Sequence, residues 1–190
     1  MRNFLVLGRT GVGKSSLINS TFGADLAPTS AYEACTQLPR YYSENTPFGE
    51  ICLIDTPGLA EKDEQLDEHY LSLVSHEIKS TRVDAILYVT RLDDTRFRPE
   101  EKRSIALMTE KIGSFIWECA WIIFTFAGSV PKEKRQEFYL CRLQKIESFI
   151  DEIQKSYGFE FDGFEKIILI DNVKQNWTDN GEPISNLFSK

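Results

Sequence analysis

The sequence predicts an α/β domain with a mostly parallel central sheet and helices on both faces. Three observations lead there. Short apolar runs alternate with stretches of helical periodicity. The apolar runs lack the polar alternation of half-exposed strands, as strands buried on both faces should. Strand–helix alternation of this kind implies parallel pairing through crossover helices. A length of 190 residues suits one domain with a sizeable core, so residues 1–190 are expected to form a single domain.

The elements follow in order. Residues 3–7 read as a buried strand and 13–22 as a helix. Residues 50–54 are the next clear strand. Residues 64–80 place Leu66, Tyr70, Leu73, Val74 and Ile78 at helical spacing. A strand at 83–89 precedes a helix at 99–112, where Pro99 suits the first turn. A strand at 120–124 leads to a long helix at 134–157, with Tyr139, Leu143, Ile146, Ile150, Ile153 and Tyr157 on its apolar face. Residues 166–170 form the last strand. Residues 24–44 show no clear periodicity and read as one long loop, and loops of that length are usually functional or disordered.

Composition narrows the function classes. The formal net charge of −7 and a pI near 5.0 disfavour binding to nucleic-acid backbones and to anionic membranes. Cys35, Cys52, Cys119 and Cys141 lie far apart without a CxxC pair, so no zinc or redox site is expected and a reducing compartment fits. His69 and His76 fall in one predicted helix and are expected to face solvent. The chain starts Met-Arg-Asn and enters a strand at once, so no targeting segment is expected. No stretch approaches a spanning helix, which needs ~18 apolar residues. A cytoplasmic or cytosol-facing location is expected, with membrane attachment only through a segment outside this chain.

Gly8-Arg9-Thr10-Gly11-Val12-Gly13-Lys14-Ser15 fits GxxxxGK[ST] between a strand and a helix. Glycines let the backbone curl so that successive N–H groups face phosphate oxygens. The helix N-terminus adds unpaired donors and a favourable dipole. The phosphate-binding residues are therefore Arg9, Thr10, Gly11, Val12, Gly13, Lys14, Ser15 and Ser16. Lys14 reaches the β- and γ-phosphates and the Ser15 hydroxyl ligates Mg²⁺. Asp55-Thr56-Pro57-Gly58 follows the apolar run ending at Ile54. A carboxylate at that strand end is where the Mg²⁺ site needs one, and Gly58 is placed to turn its amide toward the γ-phosphate. The alternative for these four residues is a plain Pro-Gly turn.

This pair of motifs resembles the translation-factor-related GTPases, which implies a P-loop GTPase (G domain) fold with Mg²⁺ and GTP or GDP. In that class a threonine between the motifs ligates Mg²⁺ and senses the γ-phosphate. The candidates are Thr36 and Thr29, and Thr36 is preferred for its spacing from Asp55 and for Gln37-Leu38 after it, where a strand could begin.

Most GTPases read guanine with [NT]KxD after the next strand. Here the stretch is Phe124-Thr125-Phe126-Ala127-Gly128, without lysine or aspartate. The chain resembles a narrower group, the septin-like Toc GTPases of the chloroplast outer envelope and the immunity-associated AIG-type GTPases. Thr125-Phe126-Ala127-Gly128 stands against Thr-His-Ala-Gln, and Tyr88-Val89-Thr90-Arg91-Leu92-Asp93 against Tyr-Val-Asp-Arg-Leu-Asp. Ile116-Trp117 precedes the strand as in the family, and Asp171-Asn172 stands against Glu-Asn. Phe126 and Gly128 depart from the family's His and Gln. The resemblance implies base binding by Phe126, Asp171 and Asn172, with Asp171 accepting guanine N1–H and N2–H and Phe126 stacking on the ring. Trp177 is placed either over the base or on the domain edge. The resemblance also implies a nucleotide-dependent homodimer in which Arg96 stands where the Toc arginine acts across the interface.

The catalytic candidates are thus Lys14, Thr36, Gly58 and Arg96, and the metal candidates Ser15, Thr36 and Asp55. Leu59-Ala60-Glu61-Lys62 carries no glutamine to orient water, and Gln65 stands too far along, so slow intrinsic hydrolysis is expected. Two other readings stay open. One is an Era-like GTPase serving ribosome or other assembly, and the other a nucleotide-binding interaction module with little turnover.

Overall fold

The computed structural model describes residues 1–29, 38–46, 49–59, 64–171, 177–178 and 188. Among them the strands are β1 (Arg2–Leu7), β2 (Arg40–Thr46), β3 (Gly49–Asp55), β4 (Ala85–Arg91), β5 (Ala120–Thr125), β6 (Lys166–Asp171) and β7 (Trp177–Thr178). The helices are α1 (Lys14–Phe22), α2 (Glu64–Ser80), α3 (Pro99–Lys111) and α4 (Arg135–Tyr157). They build one seven-stranded sheet in the order β2-β3-β1-β4-β5-β6-β7. The five central strands are parallel, and β2 and β7 run antiparallel on the two edges.

Period-two alternation divides the core. Leu5, Leu7, Cys52, Ile54, Ile86, Tyr88, Ile122 and Phe124 face α2, α3 and α4. Phe4, Val6, Ile51, Leu53, Leu87, Val89 and Ile123 face Leu17 and Ile18 of α1. Phe188 fills the second face beside α1, packing on Phe4 with ring centroids 4.7 Å apart. Because successive residues of a strand point to opposite faces, a strand covered on both sides must be apolar throughout. That requirement is what made β1, β3, β4 and β5 readable.

The expected long loop at 24–44 is corrected at its end, because β2 begins at Arg40 and pairs with β3 from Arg40↔Asp55 to Thr46↔Gly49. Its sequence, RYYSENT, is almost wholly exposed. Tyr42 packs partly against the core while most of the strand is exposed, so an apolar periodicity had little to detect. Trp177 lies in edge strand β7, paired with Asp171.

β1 has β3 on one side and β4 on the other. The chain therefore leaves β1 at the point where strand order reverses, the crevice where open α/β sheets bind ligands. Among the described residues no helix is long and apolar enough to cross a membrane.

Leu5 is fully buried in the central strand. Leu5→Ala is expected to lower unfolding free energy by about 2–5 kcal/mol. Urea denaturation followed by circular dichroism checks this, and an unchanged midpoint would contradict the placement of Leu5.

Candidate nucleotide-binding site

The loop from Gly8 to Gly13 joins β1 to α1, with Gly13 in the left-handed region as the N-cap of the helix. Lys14 is buried, and its Nζ donates to the carbonyls of Gly8 (3.1 Å) and Arg9 (3.0 Å). The ammonium is thereby held inside the loop's curl. Thr125, the last residue of β5, holds the loop from beneath. Its hydroxyl lies 2.7 Å from the Val12 carbonyl and 3.0 Å from that of Thr90.

Asp55, at the end of β3, is fully buried and accepts a hydrogen bond from the Ser15 hydroxyl at 3.2 Å. The two proposed metal ligands thus converge from different elements. A hydroxyl and a carboxylate are hard oxygen donors that suit Mg²⁺, which takes the rest of its shell from phosphates and water. Among the described residues there is no group of three His, Cys, Asp or Glu side chains that could hold a metal alone.

The next residues are fixed on β1 and on the phosphate loop. Thr56 donates to the Val6 carbonyl at 2.6 Å. Thr10 N–H donates to Leu59 O at 3.1 Å, and Arg9 and Leu59 form a parallel bridge. Gly58 passes so close that a Cβ there would sit 2.6 Å from Thr10 Cα. Only glycine fits, which explains the motif's last position. Asn19 pins the start of the following loop, its Oδ1 accepting from Leu26 N (3.0 Å) and Ala27 N (2.7 Å). Thr29 is exposed, while Thr36 and Asn172 lie outside the described residues. Gln65 stands exposed in the first turn of α2.

At the other end of the crevice, Asp171 is the last residue of β6 and only 3% exposed. Its carboxylate lies against Gly128, in the single 3₁₀ turn Ala127–Ser129 after β5. Any side chain at 128 would run into that carboxylate. Gly128 was legible only as a departure from the family pattern, and the structure gives it a task. Phe126 has φ of 58°, the only positive value for a non-glycine among the described residues. Such strain collects at binding sites, where surroundings fix the residue. The Arg91 guanidinium carbon lies 3.8 Å from the Phe126 ring centroid and is held by two hydrogen bonds to Asp93, at 2.8 and 2.7 Å. Arg91 thus covers one face of the Phe126 ring.

Arg96 is exposed on the loop after β4, and its N–H donates to Asp94 at 3.3 Å. Its carbonyl accepts a hydrogen bond from Arg142 at 2.9 Å. Arg142 and its partner Glu101 were missed by sequence reasoning, as was Thr125. A charged residue in a periodic helix reads as solvent-facing, yet both are nearly fully buried.

A phosphate loop at the switch point of a parallel sheet, with an acid at the end of the neighbouring strand, defines a P-loop G domain. The comparisons narrow this. A model of the AIG1 family matches residues 2–180, and the chain belongs to that family of Toc/AIG-type GTPases. GTP-binding protein A of Dictyostelium discoideum is 37% identical over 129 residues, which is 67% of this chain and 28% of that protein. Translocase of chloroplast 159 of Arabidopsis thaliana is 36% identical over 133 residues, 69% of this chain and 9% of that protein. This chain thus spans well under half of both. A dimerisation-deficient mutant of Arabidopsis Toc33 superposes with a TM-score of 0.79 at 27% identity, covering 99% of this chain and 81% of that one. Toc33 in complex with GDP and Mg²⁺ gives 0.76 at 28% identity, with the same coverage. The resemblance read from the motifs is borne out.

Thr125→Val keeps the shape but removes the hydroxyl under the loop. The variant is expected to lose about 1–3 kcal/mol, with Thr125→Ser recovering most of it. Denaturant titration of the three proteins measures this, and a valine variant as stable as the parent would show that the hydroxyl does not hold the loop.

Proposed function

We propose that residues 1–190 act as a single G domain that binds GTP and GDP with Mg²⁺, hydrolyses GTP slowly and pairs with a second copy in a nucleotide-dependent way. The observation that carries this reading is the convergence of Lys14, Ser15 and Asp55 at the sheet's switch point, with Ser15 and Asp55 3.2 Å apart. Amides from Arg9 to Ser16 cradle the phosphates, and Lys14 faces the β/γ oxygens. Ser15 binds Mg²⁺, with Asp55 direct or through water and Thr36 completing the set. Gly58 offers its amide to the γ-phosphate. Water attacks the γ-phosphorus, the bond to the β–γ bridging oxygen breaks, and GDP leaves. The absence of a glutamine at Leu59-Ala60-Glu61-Lys62 supports a slow step.

Asp171 accepts the two guanine protons, Asn172 adjoins it, and the face of Phe126 away from Arg91 stacks on the base. The placement of Asp171 at the carboxyl end of β6, where ligands bind in such folds, supports this. Arg96 reaches across the dimer to the transferring phosphoryl group, a role supported by its exposure and by the dimerisation-deficient mutant known for Toc33. Cys52, Cys119 and Cys141 are free thiols, which fits a cytosol-facing, reducing location.

One titration series with GDP, GTP, ADP and ATP tests the whole reading. Lys14→Ala is expected to abolish tight triphosphate binding while the domain still folds, with some loss of stability because the Gly8 and Arg9 carbonyls lose their donor. Retention of parent GTP affinity would show that the phosphates bind elsewhere. A charge-assisted hydrogen bond is worth roughly 1.5–3 kcal/mol, so Asp171→Asn is expected to lose about 10- to 150-fold of the preference for GDP over ADP. Full guanine selectivity in that variant would assign base reading to another group.

A further inference from the structure

Two charged residues sit deep in the protein with no part in phosphate or base binding. Arg142 of α4 is 1% exposed and Glu101 of α3 is 3% exposed. Arg142 Nη2 donates to Glu101 Oε1 at 2.7 Å and to Thr90 Oγ1 at 2.8 Å. Thr90 in turn donates to Glu101 Oε1 at 2.9 Å. The second arm of the guanidinium, Nη1, leaves this cluster and donates to the main-chain carbonyl of Arg96 at 2.9 Å. A buried ion pair gives little net stability compared with apolar residues of the same volume. Stability alone therefore does not account for it. What sets this pair apart is where its spare arm goes.

We infer that the Arg142–Glu101 pair is a positioning device that fixes the backbone of residue 96 and so aims the Arg96 side chain; this rests on the dimer role proposed for Arg96. The guanidinium is a rigid planar fork. One tine is locked by Glu101 and Thr90, so the other holds a fixed direction, and the carbonyl it grips belongs to the arginine itself. One helical turn on, Lys145 of α4 donates to the neighbouring carbonyl of Thr95 at 3.1 Å. Asp94 completes the loop by accepting from Arg96 N–H and, at 3.0 Å, from Arg98. The side chain of Arg96 stays exposed while its backbone is held from the core. An arginine presented to a second molecule needs that combination, because a preordered side chain loses less freedom on docking.

The same cluster borders the phosphate loop. Arg9, Val12, Thr90, Glu101 and Arg142 line one cavity of about 20 Å³, large enough for a water molecule. The Nε groups of Arg9 and Arg142 are both buried without a protein partner. Burial and the nearby Glu101 charge push the Tyr88 phenol well above its ordinary value, so it stays neutral beside the pair. The device is thus built between the nucleotide loop and the Arg96 loop.

The test uses two variants of the full chain. Glu101→Met with Arg142→Met replaces the pair by apolar groups of similar volume. Arg142→Lys keeps the charge beside Glu101 but lacks the second tine, and it carries the test if the double variant fails to fold. In both, amide exchange at 93–98 is expected to rise about tenfold or more, while the central strands keep parent protection. Turnover that rises with protein concentration is expected to fall to the level of Arg96→Ala, with monomer affinity for GDP unchanged. Adding Arg96→Ala to the double variant should cost nothing more, the non-additivity expected of residues that act as a unit. Unchanged exchange at 93–98, or a full further loss from Arg96→Ala in the double variant, overturns the inference. If Arg96→Ala in the parent changes neither dimerisation nor turnover, the trans-arginine reading has failed, and exchange at 93–98 still decides whether the pair positions the loop.

Discussion

A loop that turns its backbone N–H groups outward to meet phosphate must turn its carbonyls inward. Carbonyls buried without donors are costly, so a phosphate loop works only where the protein supplies donors beneath it. Here those donors come from around the loop. Lys14 bonds the carbonyls of Gly8 and Arg9, the Thr125 hydroxyl reaches that of Val12, and Leu17 N–H takes that of Gly13 at 2.9 Å. Four of the loop's carbonyls are thus paired from the protein side, which leaves its outward N–H groups for a ligand. Lys14 therefore has two duties, one structural and one electrostatic, in a single buried ammonium.

That constraint explains the layout around it. Lys14 belongs to α1, Thr125 to β5 and Leu59 to the segment after β3, so these elements must end at one place. A parallel sheet whose order reverses at β1 brings them there. The close approach of Gly58 to Thr10 follows, since the segment after Asp55 bridges to the loop through Leu59. The two segments share backbone hydrogen bonds, Thr10 N–H to Leu59 O at 3.1 Å and Leu59 N–H to Gly8 O at 3.4 Å.

What the sequence disclosed and what it hid divide along physical lines. Strands buried on both faces, such as β1 and β4, announce themselves by unbroken apolar runs, and the glycine-lysine loop by its spacing. β2 was hidden because RYYSENT packs Tyr42 on the core and is otherwise mostly exposed, too little to encode an apolar pattern. Arg142 was hidden for the opposite reason. It sits in a helix whose neighbours Leu143 and Ile146 carry the apolar stripe, and a charged side chain beside that stripe reads as solvent-facing unless its partner is known. The partner is Glu101, 41 residues away on another helix. Thr125 was quoted for its place in a motif, and its task under the phosphate loop depends on Val12, 113 residues away. Pairings that distant leave no periodicity in a single chain.

The two departures at the base end make sense together. Against the Toc pattern, this chain has a carboxylate one methylene shorter at Asp171 and no side chain at Gly128 where the family carries glutamine. Taken singly, each looks like a loss. In the structure the shorter carboxylate lies directly on the Cα of Gly128, in space that a longer residue at 128 would fill. Removal of the glutamine therefore makes room for the aspartate where it stands, at the end of β6. The strained Phe126 beside them is held by Arg91, itself clamped by Asp93, so the turn that presents Gly128 has little freedom to drift. A short acid at the end of a strand thus faces a glycine whose turn is held in place from its other side.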